Sequence, residues 1–383
     1  MDNIANKVAT IHTQRFDQEP DVFRSPGRIN IIGEHTDYNE GFVLPAAIDR
    51  YVYIGISRRV DNLIKLYSIN FDKIVYSTVE LIEMQEEQWA NYILGICKLL
   101  APTYSHGFEM TVYGDVPIGA GLSSSAALES AVGYAVNAVF ALGYDRMQLA
   151  QIGQQCEHQF IGVRCGIMDQ FASLHGRLNQ VMKLDCRNLD YSYFPLELGD
   201  YEFVLLNTNV SHSLASSAYN DRRSQCETGV AQLQMRYPEV HSLRDASVEM
   251  LDLAIPDPSE QSYIKSRFVI EEIQRVSKVC DYLNEGALDK VGELMYATHR
   301  GLKEAYEVSC PELDYLVDYI REYPEVLGAR MMGGGFGGCT LNLVKKTFVA
   351  ELIERVSKAY ESLFGIALDS YVVKLGEGTA HVH

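Results

Sequence analysis

Residues 25–41 read "SPGRINIIGEHTDYNEG", which sets Arg28, Glu34, His35, Asp37, Tyr38 and two asparagines around the apolar pair Ile31-Ile32. The apolar pair reads as the end of a buried strand. The polar set allows two readings. Arg28 and Asp37 as an ion pair, with the rest a surface turn, accounts for the charges but not for the variety. Arg, Glu, His and Asp side by side supply donors and acceptors in fixed directions, which a ligand covered in hydroxyl groups requires.

At 383 residues the chain is long enough for two domains, each with its own core. Hydrophobic residues make up 47% and charged residues 22%, a globular balance. The longest uncharged helical run, 130–144, falls short of the roughly 20 residues that span a bilayer. Asp2, Lys7, Arg15 and Asp17 interrupt the first residues, no secretory signal is legible, and a cytoplasmic protein is expected. A formal charge of -18 with no basic block argues against nucleic-acid and anionic-membrane partners. An anionic substrate then needs a local device such as a helix N-terminus, backbone amides or a metal ion. The eight cysteines show no paired spacing, and Cys156 lies in the helical stripe of Leu149, Ile152 and Phe160, so buried free thiols are expected.

Period-two apolar patterns predict strands at 28–32, 41–48, 51–57 and 106–114. The last runs into a Gly/Ser segment and an Ala-rich helix that stops near Gly143, and a second helix follows at about 146–161. The pattern restarts near 190–200 with a strand at 201–208. Helices near 261–285 and 311–323, a strand-flanked glycine cluster, a helix near 347–363 and a strand at 370–374 complete it.

"PIGAGLSSSAA" (117–127) places Gly119 and Gly121 just before a helix N-terminus, an arrangement that binds anions through free amides and the helix dipole. Ser123, Ser124 and Ser125 as plain helix caps are the competing reading. No Walker lysine is present, so a bound triphosphate would need Mg²⁺, with Ser125 a ligand by its hydroxyl. Gly333 to Gly338 satisfies GxGxxG but precedes a strand, which is the wrong context for a dinucleotide fingerprint. Five glycines in six residues point instead to backbone packed closely on a ligand or another loop. "GVRCGIMDQFAS" holds the lone acid Asp169, a cap, a salt-bridge partner or a catalyst, and Glu157 on the preceding helix is a second candidate metal ligand. His35 with Asp37, or Glu157 with His158, lacks zinc spacing.

Together "PGRINIIGEHTDYNEGFVLP" (26–45), "PIGAGLSSSAALE", "GGGFGGCTLNLV", "CEHQFIGVRCGIMDQF", "NVSHSLASSAYNDRRSQCE" and "YEVSCPELD" closely resemble the galactokinases of the GHMP kinase superfamily, along nearly the whole chain. The resemblance implies an α+β fold of two domains, 1–195 and 196–383, with the active site in the cleft between them. It implies a left-handed βαβ unit in the first and a ferredoxin-like second. It further implies transfer of a phosphoryl group from ATP to C1 of galactose, with Mg²⁺, in a monomer. By the same resemblance Asp169 is the catalytic base and Arg28 its partner, while Glu34, His35, Asp37, Gly166 and Tyr219 hold the sugar. The resemblance also implies that Pro117, Gly119, Ala120, Gly121, Leu122 and Ser123 to Ser125 bind ATP, that Ser125, or its neighbour Ser124, and Glu157 hold the metal, and that Gly334, Gly335 and Gly337 form the third motif. Arg164 stands where many relatives have Pro. The neighbouring possibilities are another sugar 1-kinase, such as one for N-acetylgalactosamine, a non-catalytic sugar and ATP sensor, and an alcohol kinase such as mevalonate kinase.

Overall fold

The computed structural model describes residues 3–211 and 215–382; residues 212–214, inside the family-like stretch 209–227, lie outside them. The chain begins with α1 (Asn3–Phe16), β1 (Asp21–Asn30), β2 (Phe42–Val43), β3 (Pro45–Arg58), β4 (Leu63–Ser68), β5 (Lys73–Thr78), α2 (Gln88–Leu100) and β6 (Phe108–Gly114). It continues through α3 (Ser124–Phe140), α4 (Arg146–Cys156), α5 (Met168–His175), β7 (Gln180–Asp185) and β8 (Tyr191–Pro195). The second half holds β9 (Tyr201–Ser211), α6 (Ala215–Gln234), α7 (Val248–Ala254), α8 (Gln261–Glu285), α9 (Leu288–Glu304) and α10 (Pro311–Ile320). It ends with β10 (Val326–Met331), β11 (Gly337–Lys345), α11 (Val349–Phe364), β12 (Asp369–Val373) and β13 (Ala380–His381).

Strand periodicity places the first core. Val52, Ile54 and Ile56 of β3 face the helical layer that contains α2 and α3, while Tyr51 and Tyr53 face α1, as alternate residues of a strand must. The sheet runs β13-β1-β3-β6-β4-β5, and the parallel pair β4–β6 is joined through β5 and α2. On the other face α1 buries Ala5, Val8 and His12. The His12 ring lies 3.0 Å from the Thr111 hydroxyl and 2.9 Å from that of Ser57, so this buried histidine is a satisfied core group.

The second unit is the antiparallel sheet β10-β11-β9-β12. Numbered along the chain this order is 2-3-1-4, the ferredoxin-like arrangement, with α11 between its last two strands. The α+β class and the ferredoxin-like second half therefore match expectation. Two local details differ from the sequence reading. Residues 45–58 form one strand rather than parts of two, and α4 ends at Cys156, where the backbone widens into a π turn over Glu157–Ile161 closed by Gly162 at φ +91°. At the C-terminal end, β13 pairs with β1 and Leu375 bridges to Ile48, so the last strand crosses the expected division at 195/196 to finish the first sheet. All eight cysteines are free thiols.

Ile31 and Ile32 are fully buried in the first core, and this anchors the loop that follows β1. The polar residues from Glu34 to Tyr38 are thereby carried to the second unit.

Candidate active site

The loop 117–123 turns through Gly119 (φ +76°) and Gly121 (φ +72°), then through Ser123 at φ 57°, a left-handed conformation uncommon for a residue with a Cβ. Ala120 and Leu122 bury their side chains, while Ile118 projects outward and Gly119, Ser124 and Ser125 line a cavity. Gly27 lets it lie on β1: a Cβ there would stand 2.8 Å from the Leu122 carbonyl. One residue on, the Arg28 side chain, 4% exposed, forks onto Asp169, with Nε to Oδ1 and Nη2 to Oδ2 both at 2.8 Å. Its Nη1 donates to the Gly121 carbonyl at 2.6 Å, and the Ser123 hydroxyl donates to Asp169 Oδ2. Asp169 sits in the first turn of α5 and remains 31% exposed, reachable by a substrate.

Beside this pair is a cavity of 180 Å³ that brings together Arg28, Glu34, His35, Asp37, Glu157, Gly166, Asp169, Tyr219 and Gly334. Every sugar-binding residue expected from the sequence is here. Glu34 Oε1 accepts from Arg330 at 2.7 Å and from the Gly333 amide at 2.9 Å. Burial alone would raise its pKa, but the guanidiniums of Arg330 and Arg28 overcome this and hold the carboxyl below its ordinary range. His35 is lowered to about 4, chiefly by burial, and is neutral. Its Nδ1 lies 2.8 Å from the Tyr38 hydroxyl, which lies 2.8 Å from that of Tyr306, while Nε2 is buried, beside the Gly334 backbone, with no well-formed hydrogen bond among the described residues.

Asp37 is raised to about 7 by burial and then by the neighbouring charge of Asp169. A Cβ on Gly166 would fall 1.8 Å from Asp37 Oδ2, so only glycine lets that carboxylate sit there. In the five-glycine loop the same close approach holds at Gly335, while Gly333, Gly335, Gly337 and Gly338 all take positive φ. A Cβ on Gly335 would meet the Val308 carbonyl at 2.2 Å, one on Gly334 the Tyr219 ring at 3.3 Å, and one on Gly338 the Ala120 carbonyl carbon at 3.4 Å. Packing of this backbone against other loops is what the glycine cluster achieves, and Gly337 adds a left-handed turn at φ +127°.

A second cavity, of 340 Å³, opens on the other side of the Gly/Ser loop. Val52, Phe71, Trp89, Tyr92, Ile118 and Leu128 line it together with Gly119, Ser124 and Ser125. Phe71 and Trp89 stack with centroids 6.4 Å apart at 18°. Ser125 and Glu157 meet between the cavities. The Glu157 pKa is pushed up to about 7, first by burial and then by Asp169, and the Ser125 hydroxyl opposes this. Glu129, buried beneath, accepts from the Gln170 amide at 2.9 Å and is pushed well above the carboxylate range by burial and by Glu157. Sequence reasoning missed Phe71, Trp89 and Arg330. A lone Trp at the start of an amphipathic helix and a single Arg inside "VLGARMM" (326–332) were the only signals.

Residues 10–58 match the family model for the galactokinase galactose-binding signature, 91–177 that for the GHMP kinase N-terminal domain, and 280–362 that for the GHMP kinase C-terminal domain. The galactokinase of Lactiplantibacillus plantarum is 40% identical over 374 residues, 96% of each chain. This chain belongs to the galactokinase family. The crystal structure of Lactococcus lactis galactokinase complexed with galactose superposes with a TM-score of 0.94 at 36% identity, covering 99% of this chain and 100% of that one. A mevalonate kinase structure, at 17% identity and a TM-score of 0.65, shares the fold. Within the galactokinase match, the galactose-binding signature contains Arg28, Glu34, His35 and Asp37, and the N-terminal model contains the Gly/Ser loop, Glu157, Gly166 and Asp169. Tyr219 lies in none of the three matched segments.

Proposed function

We propose that this galactokinase-family chain transfers the γ-phosphoryl group of ATP to the C1 hydroxyl of α-D-galactose, giving galactose 1-phosphate and ADP. The observation that carries the reading is the bidentate Arg28–Asp169 pair at the junction of a small polar cavity and the Gly/Ser loop. Galactose fills the polar cavity, with its hydroxyls on Glu34, His35, Asp37 and Tyr219. His35 Nε2, buried without a well-formed hydrogen bond among the described residues, is the group a sugar oxygen would satisfy. Asp169 accepts the C1 hydroxyl proton as that oxygen bonds to the γ-phosphorus and the bond to the ADP oxygen breaks. Arg28 offsets the charge on the transferring group. Such transfers pass through a loose transition state, so the placement of both substrates matters as much as the proton transfer.

Amides of the Gly119–Ser125 loop and the N-terminus of the 17-residue α3 face the phosphates. The Phe71–Trp89 stack offers adenine a flat apolar surface. For Mg²⁺ the residues present fit: a hydroxyl and a buried carboxylate, Ser125 and Glu157, form an oxygen donor pair whose charge lacks a cation, and Mg²⁺ takes one or two carboxylates plus phosphate oxygens. Bound there, the ion would neutralise phosphate charge.

The test is ADP release with Mg-ATP against galactose, N-acetylgalactosamine, glucose, arabinose and mevalonate, with phosphorus NMR of the product. Galactose is expected to lead, with phosphate on C1. Ligand binding without ADP release would make the chain a sensor, and a different leading substrate would reassign the cavity.

A further inference from the structure

Arg330 has the largest side chain among the fully buried residues, and it sits on β10 of the second unit. Nearly all its donors nevertheless serve the first unit. Nε donates to the Ile31 carbonyl at 3.0 Å, and Nη2 to the Asn30 carbonyl and, at 2.7 Å, to Glu34 Oε1. Only Nη1, on the Met331 carbonyl at 3.1 Å, stays within its own strand. Asn30 and Ile31 continue the strand that carries Arg28, so one guanidinium grips both the end of that strand and the carboxylate of the sugar cavity. The Gly333 amide adds a second bond from the second unit to the same oxygen, at 2.9 Å. Oε1 of Glu34 is thus held entirely by the second unit. Oε2 accepts no hydrogen bond among the described residues, and Glu34 lines the cavity.

A buried ion pair is a weak source of stability, because desolvation cancels most of the attraction and an apolar pair of equal volume serves as well. What a forked guanidinium supplies is direction. We propose that Arg330 is a positioning residue for the sugar: by fixing Glu34 Oε1 across the cleft it presents Oε2 to a galactose hydroxyl and closes that wall of the cavity. This rests on the galactose reading above.

The experiment is a double-mutant cycle of Arg330→Lys and Glu34→Gln, read as galactose and ATP dissociation constants by calorimetry, with steady-state kinetics and melting curves in parallel. A single ammonium cannot reproduce the fork, so Arg330→Lys is expected to weaken galactose binding and raise its KM by about 10- to 100-fold, the scale of a lost charge-assisted hydrogen bond. The ATP constant should stay within about twofold of wild type. The double variant should bind galactose no worse than the weaker single one, since both act through one contact. Unchanged galactose binding, equal loss for both ligands, or additive penalties would overturn the inference. Should Arg330→Lys not fold, arginine side-chain NMR of the wild type replaces it. The Arg330 Nε–H signal is expected to shift with galactose and not with ATP, and a signal indifferent to galactose counts against the proposal. Wild type that binds no galactose overturns the proposed function and this inference with it, whereas normal galactose binding by both proteins overturns this inference alone.

Discussion

The cavity beside Arg28 and Asp169 and the cavity lined by the Gly/Ser loop are built by opposite means. The smaller, at 180 Å³, takes walls from both units, and its groups are fixed by buried contacts: Glu34 by Arg330, His35 by Tyr38, Arg28 by Asp169. The larger, at 340 Å³, is made entirely by residues 52–128 and presents an aromatic stack with exposed Phe71. A sugar differs from its isomers only in where its hydroxyls point, so its site needs rigid donors and acceptors arriving from several directions. A flat heterocycle is held by stacking, which tolerates a looser wall on one unit. Under the proposed function, the difference makes sugar selectivity a property of how the units join, and nucleotide binding a property of one unit.

The strongest way to break this division is at the junction. Asp169→Asn is expected to lower kcat by roughly 10²–10⁴ while leaving both ligands bound, the scale for losing a general base. Near-normal turnover would remove the chemistry from the junction. Next is a cross-comparison. Asp37→Ala should weaken galactose binding by about 10- to 100-fold with ATP nearly unmoved, because sugar hydroxyls lose a buried acceptor. Trp89→Ala should do the reverse, weakening ATP by about tenfold, the order of one lost stacking contact. Calorimetry showing equal losses for both ligands in either variant would merge the two sites into one.

The smallest expected effect concerns pH. Burial pushes the Asp37 carboxyl up to about 7, and the sugar hydroxyls of the proposed site would donate to its ionised form. Galactose binding should therefore release a proton and tighten as pH rises from about 6 to 8, by up to roughly tenfold in total. Asp37→Asn should flatten the profile. A profile unchanged by that substitution would place the titrating group elsewhere.

Much of the architecture was legible before the structure because its causes are local. The alternation at 51–57 sits inside β3, and the helix read at 261–285 is α8 to the residue. Gly119 and Gly121 mark a backbone that must turn left-handed, and the motif at 26–45 supplies Arg28, Glu34, His35 and Asp37 to the smaller cavity. The π turn at Glu157 was not legible, since nothing in the Gln-Cys-Glu-His run distinguishes a widened turn from a continuing helix. Trp89 was missed because an aromatic residue on an amphipathic helix is ordinarily core.

By itself, then, the sequence determined the central strands, the long helices such as α3, α8 and α11, the left-handed Gly/Ser loop and the identity of the polar set, all of which depend on side-chain period and backbone freedom over a few residues. Only the tertiary structure decided that Arg330 would reach Glu34 across 296 positions, that Asp37 would titrate near 7, and that β13 would finish the first sheet. Those outcomes depend on which distant groups are buried together. Burial sets the cost of every unpaired charge, and no short stretch of sequence contains that information.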